Sequence, residues 1–126
     1  MAMNRILIIE DNSDIRENTV EILELNGYRV WTADNGAQGI AVASDIRPTV
    51  IVCDIQMPFM SGYEVFTTLK EIPGTAKIPF VFFTASTEKR EIKMAMDLGA
   101  DGYLCKPFEV SELLEMIKDV TNRVRR

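Results

Sequence analysis

The 126-residue chain contains no histidine. His-ligated zinc, a Ser-His-Asp triad and a phosphohistidine carrier are therefore excluded. Cysteine is scarce, with only Cys53 and Cys105, which fits a reducing compartment and two buried thiols. Cys53 falls inside an apolar run and is expected to be buried. Apolar runs are only a few residues long, so no segment is expected to insert into a membrane. No basic stretch followed by an apolar stretch opens the chain, so no secretory signal is visible. Positive charge is in deficit, 14 Lys+Arg against 19 Asp+Glu, a net charge of -5. That balance argues against nucleic acid as a direct ligand, because phosphate backbones select basic surfaces. What is present is 47% apolar residues and 26% charged ones, which excludes a wholly disordered chain. The length predicts one domain over residues 1–126, burying roughly two-thirds of the surface its unfolded form exposes.

Short apolar runs alternate with amphipathic stretches. Ile6–Ile9, Val50–Cys53 and Phe80–Phe83 are apolar on both faces and read as strands covered on both sides. Tyr28–Thr32 carries Arg29 within it and suits an edge strand. Gly102–Cys105 is a fifth, shorter candidate. Between the runs the period becomes helical. The expected buried stripes are Ile15, Thr19, Ile22 and Leu23; then Ala37, Ile40, Ala41 and Ser44; then Gly62, Val65, Phe66 and Leu69. Two more follow, Ile92, Ala95, Met96 and Gly99, and Val110, Leu113, Leu114 and Ile117. Gly27 and Gly99 sit where helix ends need a left-handed residue. The order βαβαβαβαβα implies right-handed crossovers and a parallel sheet between helices, an α/β doubly wound fold. The basic tail Arg123–Arg126 suits a helix C-terminus.

In an open parallel sheet, ligands bind outside the carboxyl ends of the strands. Glu10 and Asp11 follow the first run, Asp54 the third, Thr84 the fourth and Lys106 the fifth. The strand starts carry only Asn4, Arg5, Tyr28, Thr49 and Pro79. Each end residue alone has an ordinary explanation as a cap, a turn residue or a solvated lysine. Asn12, Ser13 and Asp14 already supply cap candidates, however, so the Glu10-Asp11 pair is surplus to capping. Three carboxylates at one end of a sheet repel one another unless a cation sits among them. Oxygen-only ligands favour a hard divalent ion such as Mg2+, with Mn2+ also possible. A carboxylate beside such a metal can act as a nucleophile toward phosphorus.

Taken in order, the motifs resemble the receiver domain of two-component response regulators, in particular the single-domain chemotaxis type. They are Glu10-Asp11, Asp54-Ile55-Gln56-Met57-Pro58 with Gly62 downstream, Thr84-Ala85, and Lys106-Pro107-Phe108. The resemblance covers residues 4 to about 122. It implies a five-stranded (βα)5 sheet of flavodoxin-like order 2-1-3-4-5. It also implies that Asp54 is the phosphoacceptor, and that Glu10, Asp11, Asp54 and the main-chain carbonyl of Gln56 hold Mg2+. Lys106, before a cis Lys106-Pro107 peptide, pairs with the carboxylates and then with the phosphoryl group. Thr84 and Tyr103 become the switch residues, altering the face formed by the fourth helix, fifth strand and fifth helix. Met94, Leu98 and Glu91 are candidates to line that face. Gln56 and Ser86 occupy positions where side chains influence phosphoryl lifetime. The family often has Asp before the glycine of the Met-Pro-x-Met-Asp-Gly stretch, where this chain has Ser61, still a competent cap. Phe59 is expected to be exposed.

The resemblance implies a cytoplasmic signalling switch rather than an enzyme with substrate turnover. Its phosphodonor is a sensor histidine kinase or a phosphotransfer protein, since the chain has no histidine of its own. Its output is a contact with another protein. The start and end of the chain favour a stand-alone receiver over a piece of a longer regulator. The main alternative is a degenerate receiver acting as a constitutive interaction module. A haloacid-dehalogenase-type phosphatase calls for a second acid at the position of Gln56, and a flavodoxin-like electron carrier calls for a phosphate cradle where Glu10-Asp11 stands.

Overall fold

The computed structural model describes residues 4–85 and 88–124, of which 123 and 124 are described by backbone only. Met1–Met3, Ser86 and the final Arg125-Arg126 of the basic tail lie outside the described residues. The elements alternate as β1 (Arg5–Ile9), α1 (Ser13–Leu25), β2 (Arg29–Ala33), α2 (Gly36–Ile46) and β3 (Val50–Asp54). There follow α3 (Gly62–Glu71), β4 (Phe80–Thr84), α4 (Lys89–Asp97), β5 (Gly102–Cys105) and α5 (Val110–Val124). All strand pairs are parallel and the order is β2-β1-β3-β4-β5, as the resemblance implied.

Because side chains alternate along a strand, the sheet divides the core in two. Leu7, Ile9, Ile51, Cys53, Phe80 and Phe82 face α2, α3 and α4, against Ala43, Phe66 and Ala95. Ile6, Ile8, Val52, Val81, Phe83 and Leu104 face α1 and α5, against Leu23, Leu113 and Ile117. The central strands β1, β3 and β4 are buried on both faces, which is why they read as unbroken apolar runs. β2 is an edge strand with Arg29 exposed and stacked over Trp31 at 5.0 Å.

Helix starts follow local chemistry. Asn12, Asn35 and Ser61 each accept a backbone N–H of the first turn of α1, α2 and α3. Ser61 and Glu64 form a reciprocal capping box, so the serine replaces the more usual aspartate without loss of the cap. Gly27 and Gly99 take positive φ, as their positions predicted.

Three expected stripes differ from the observed ones. In α2 the buried residues are Gly36, Gly39 and Ala43, while Ala37, Ala41 and Ser44 are exposed. The helix lies so close to the sheet that a Cβ on Gly39 would meet the Ile9 side chain. The expected stripe was built around the helical spacing of Ile40, whereas close approach selects a neighbouring stripe of the smallest residues. In α4, Ala95 is buried, but Met96 and Gly99 are exposed. In α5, Val110 is exposed because it opens the helix at the rim of the sheet, while Leu113 and Ile117 are buried. Cys53 is buried as expected, whereas Cys105 at the β5 edge is only half-buried.

Candidate functional site

The crossovers bring the C-terminal ends of β1, β3, β4 and β5 side by side. Glu10 and Asp11 leave β1, Asp54 closes β3, Thr84 closes β4 and Lys106 follows β5. Residues distant in the chain thus become neighbours, Lys106 and Glu10 being 96 positions apart.

Glu10 is fully buried and tied on several sides. Its amide donates to the Ala33 carbonyl at 3.0 Å, and its own carbonyl accepts the Arg16 guanidinium at 2.9 Å. Its Oε2 accepts the Asn12 amide at 3.2 Å, and its Oε1 pairs with the Lys106 ammonium. Asp54 is 5% exposed, with Oδ2 3.3 Å from Lys106 Nζ and Oδ1 accepting the Gln56 amide at 3.4 Å. The Gln56 side chain points to solvent. Asp11 is exposed at the rim, and its carboxyl is held above the usual aspartate range. The causes are partial desolvation first, then the hydrogen bond and negative charge of Glu10, with a backbone hydrogen bond and then the Lys106 charge pulling the other way.

One oxygen from each of Glu10, Asp11 and Asp54 lies within 4.8 Å of the others. At an effective dielectric of about 20, two unit charges at that separation repel by about 3 kcal/mol. Lys106 offsets part of this, and leaves more negative charge than one ammonium can balance. An all-oxygen donor set with an excess of negative charge fits a hard divalent cation. The Lys106-Pro107 peptide is cis, and the Lys106 ammonium lies 4.6 Å from the centroid of the Phe83 ring. Phe83 was legible only as a core residue, since nothing in an apolar run marks the ring that a lysine will cross.

Thr84 is buried at the end of β4, and its carbonyl accepts the Lys106 amide at 2.7 Å. A side-chain hydrogen bond joins Thr84 to Tyr103. Tyr103 is half-buried against the core. Burial pushes its phenol up to about 12, with smaller contributions from Cys105, Glu91 and Tyr63. All seven site residues read from the sequence therefore fall into one connected arrangement, with Gln56 contributing its backbone. Phe59 is fully exposed, with φ 68°. Met94 and Leu98 are exposed on α4, whereas Glu91 is half-buried.

The response regulator receiver domain family model matches residues 6–118. The chain belongs to that family. The receiver is 36% identical over 124 residues to the DNA-binding dual master transcriptional regulator RpaA of Synechocystis, covering 98% of this chain and 52% of that protein. It is 37% identical over 123 residues to the phosphate regulon transcriptional regulatory protein PhoB of Pseudomonas aeruginosa, covering 98% of this chain and 54% of that one. The receiver thus spans about half the length of the curated relatives it matches. Among solved structures, the Vibrio cholerae chemotaxis protein CheY4 superposes with a TM-score of 0.89 at 31% identity, covering 94% of this chain and 99% of that one. A receiver domain from Clostridium thermocellum gives 0.91 at 29% identity, with 98% of each chain covered. Among the described residues, no helix is long and apolar enough to cross a membrane.

Proposed function

We propose that this receiver is a phosphorylation-dependent signalling switch in which Asp54 accepts a phosphoryl group from a histidine kinase or phosphotransfer protein. The observation that carries this reading is the convergence of Glu10, Asp11 and Asp54 with Lys106 paired to two of them. An Asp54 oxygen attacks phosphorus, the P–N bond of the donor phosphohistidine breaks, and the departing imidazole nitrogen takes up a proton. The product is an aspartyl phosphate. Glu10, Asp11, Asp54 and the Gln56 carbonyl would hold Mg2+, which supplies charge neutralisation of the phosphoryl oxygens. The Lys106 ammonium moves from the Asp54 carboxylate to a phosphoryl oxygen, exchanging one anionic partner for another. The chain supplies these groups itself and turns over no separate substrate.

Phosphorylation adds about -1.5 to -2 charges and new acceptor oxygens at Asp54. Thr84, at the end of the neighbouring strand, turns its hydroxyl toward them and gives up its bond to Tyr103. Tyr103 then repacks, and the face built from α4, β5 and α5, with Met94 and Leu98 already exposed, presents a different surface to a protein partner. An affinity change of about 5- to 150-fold for that partner is expected. Regulators such as RpaA and PhoB carry DNA-binding or transcriptional roles in their names, and a similar output through a further domain is compatible with this receiver.

Intact mass after incubation with acetyl phosphate tests the reading. A single phosphoryl adduct that requires both Mg2+ and Asp54, and is lost in Asp54→Asn, supports it. No adduct under any metal condition overturns it in favour of a constitutive interaction module.

A further inference from the structure

Besides the Thr121 hydroxyl, two polar atoms, one on α3 and one on α4, are buried without a hydrogen-bond partner among the described residues. They are the hydroxyl of Tyr63, in the first turn of α3, and Oε2 of Glu91, in the first turn of α4. Buried polar groups are nearly always paired, so each such exception calls for an explanation. These two are complementary, since a phenol donates and a carboxylate oxygen accepts. They are also within each other's field. Desolvation and the Glu91 charge both hold the Tyr63 phenol above its ordinary range, and Glu91 and Tyr63 both act on Tyr103. The Tyr63 ring itself is fixed, standing edge-on to Phe82 of β4 with centroids 5.3 Å apart. Phe82 is in turn the register neighbour of Tyr103 on β5.

The starts of α1, α2 and α3 are each held by a side-chain cap, whereas among the described residues no side-chain cap bond holds the start of α4. The helix is only 9 residues long, and it belongs to the face that changes in the switch proposed above when Thr84 turns toward Asp54. We propose that the Tyr63 hydroxyl donates a hydrogen bond to the Glu91 carboxylate in the phosphorylated state, and that this bond fixes the first turn of α4 in its new position. The inference rests on the receiver function proposed above. It adds two positioning residues, neither of which touches the phosphoryl group.

Amide hydrogen exchange over residues 88–97, with and without acetyl phosphate and Mg2+, tests this. The proteins compared are wild type, Tyr63→Phe, Glu91→Ala, Glu91→Gln and the Tyr63→Phe/Glu91→Ala double variant. Tyr63→Phe keeps the ring on Phe82, so the fold is retained. In wild type, phosphorylation should slow exchange in the first turn of α4 by about five-fold or more. Tyr63→Phe, Glu91→Ala and the double variant should each lose that slowing to the same extent, because all three remove one shared bond. Glu91→Gln keeps an acceptor oxygen and should retain most of it. Unaltered slowing in Tyr63→Phe and Glu91→Ala, additive losses in the double variant, or no slowing in wild type would overturn the proposal. Intact mass on the same samples separates the two levels. An adduct at Asp54 with unaltered variants sinks only the Tyr63–Glu91 bond, whereas no adduct in wild type sinks the receiver reading as well.

Discussion

Asp54 closes β3 and Lys106 follows β5, yet the Lys106 ammonium stands 3.3 Å from Oδ2 of Asp54 while pairing with the fully buried Glu10. One cation thus bridges the proposed phosphoacceptor and a carboxylate with no access to water.

Removing that cation exposes the repulsion it offsets. Lys106→Met keeps an unbranched apolar side chain of similar length and deletes the ammonium that lies over the Phe83 ring. Leaving buried carboxylates without their partner is expected to cost about 3 kcal/mol in the absence of metal. Urea denaturation of both proteins measures it. Mg2+ should recover part of the loss, because a second cation takes up the same charge.

Asp11→Asn should act in opposite directions with and without metal. The folded-state carboxyl is raised above its ordinary 3.8, so the folded protein holds that proton more tightly than the unfolded chain. Metal-free stability therefore falls as pH rises through the interval between the ordinary and the raised value, and is lowest once Asp11 is ionised. At neutral pH the neutral asparagine should raise the metal-free melting temperature slightly, the gain being limited by the solvent exposure of this residue. The same change should abolish the stabilisation that Mg2+ gives wild type. Thermal melts at several Mg2+ concentrations resolve both effects.

Gly62 opens α3 directly beneath the site. A Cβ there would come within 2.9 Å of the Ile55 Cα and closer still to the Asp54 carbonyl oxygen. Both obstacles are backbone, so the clash outweighs the better helix propensity of alanine. Gly62→Ala is expected to destabilise by about 1–3 kcal/mol and to slow adduct formation by shifting Asp54. Chemical denaturation and an adduct time course test the two parts separately.

Tyr103 predicts an alkaline signature. Its phenol is raised from 10.0 to about 12, chiefly by burial. The folded state keeps a proton that the unfolded chain has lost, so stability falls as pH rises from about 10 toward 12. Tyr103→Phe should remove this part of the pH dependence. In wild type, tyrosinate absorbance should show one phenol titrating near 12. A Tyr103 that ionises near 10 in the folded protein would contradict the packing described.

Much of the site was legible because parallel α/β topology places chemistry at predictable chain positions. Glu10, Asp11, Asp54, Thr84 and Lys106 each follow an apolar run, and strand C-termini share one edge whatever the details of packing. The Ser61 cap was equally local, since an N-cap bond reaches only into the first turn of its own helix. The α2 stripe misled because its buried face is Gly36, Gly39 and Ala43, small residues whose burial carries little hydrophobic signal. Met96 and Val110 misled for the reverse reason, being apolar residues at helical spacing that the sheet does not reach.

The sequence by itself determined the alternation of strands and helices, the double burial of β1, β3 and β4, and the acid-rich edge, because these depend on local periodicity and on where each run stops. Tertiary structure alone decided that the Lys106 ammonium lies over Phe83 and reaches both Glu10 and Asp54, that Thr84 bonds Tyr103, and that the Tyr63 hydroxyl and one Glu91 carboxylate oxygen are buried without a hydrogen-bond partner among the described residues. Those relationships join residues tens of positions apart, and they arise from how closely each helix and loop settles on the sheet, a property of mutual packing that no single segment carries.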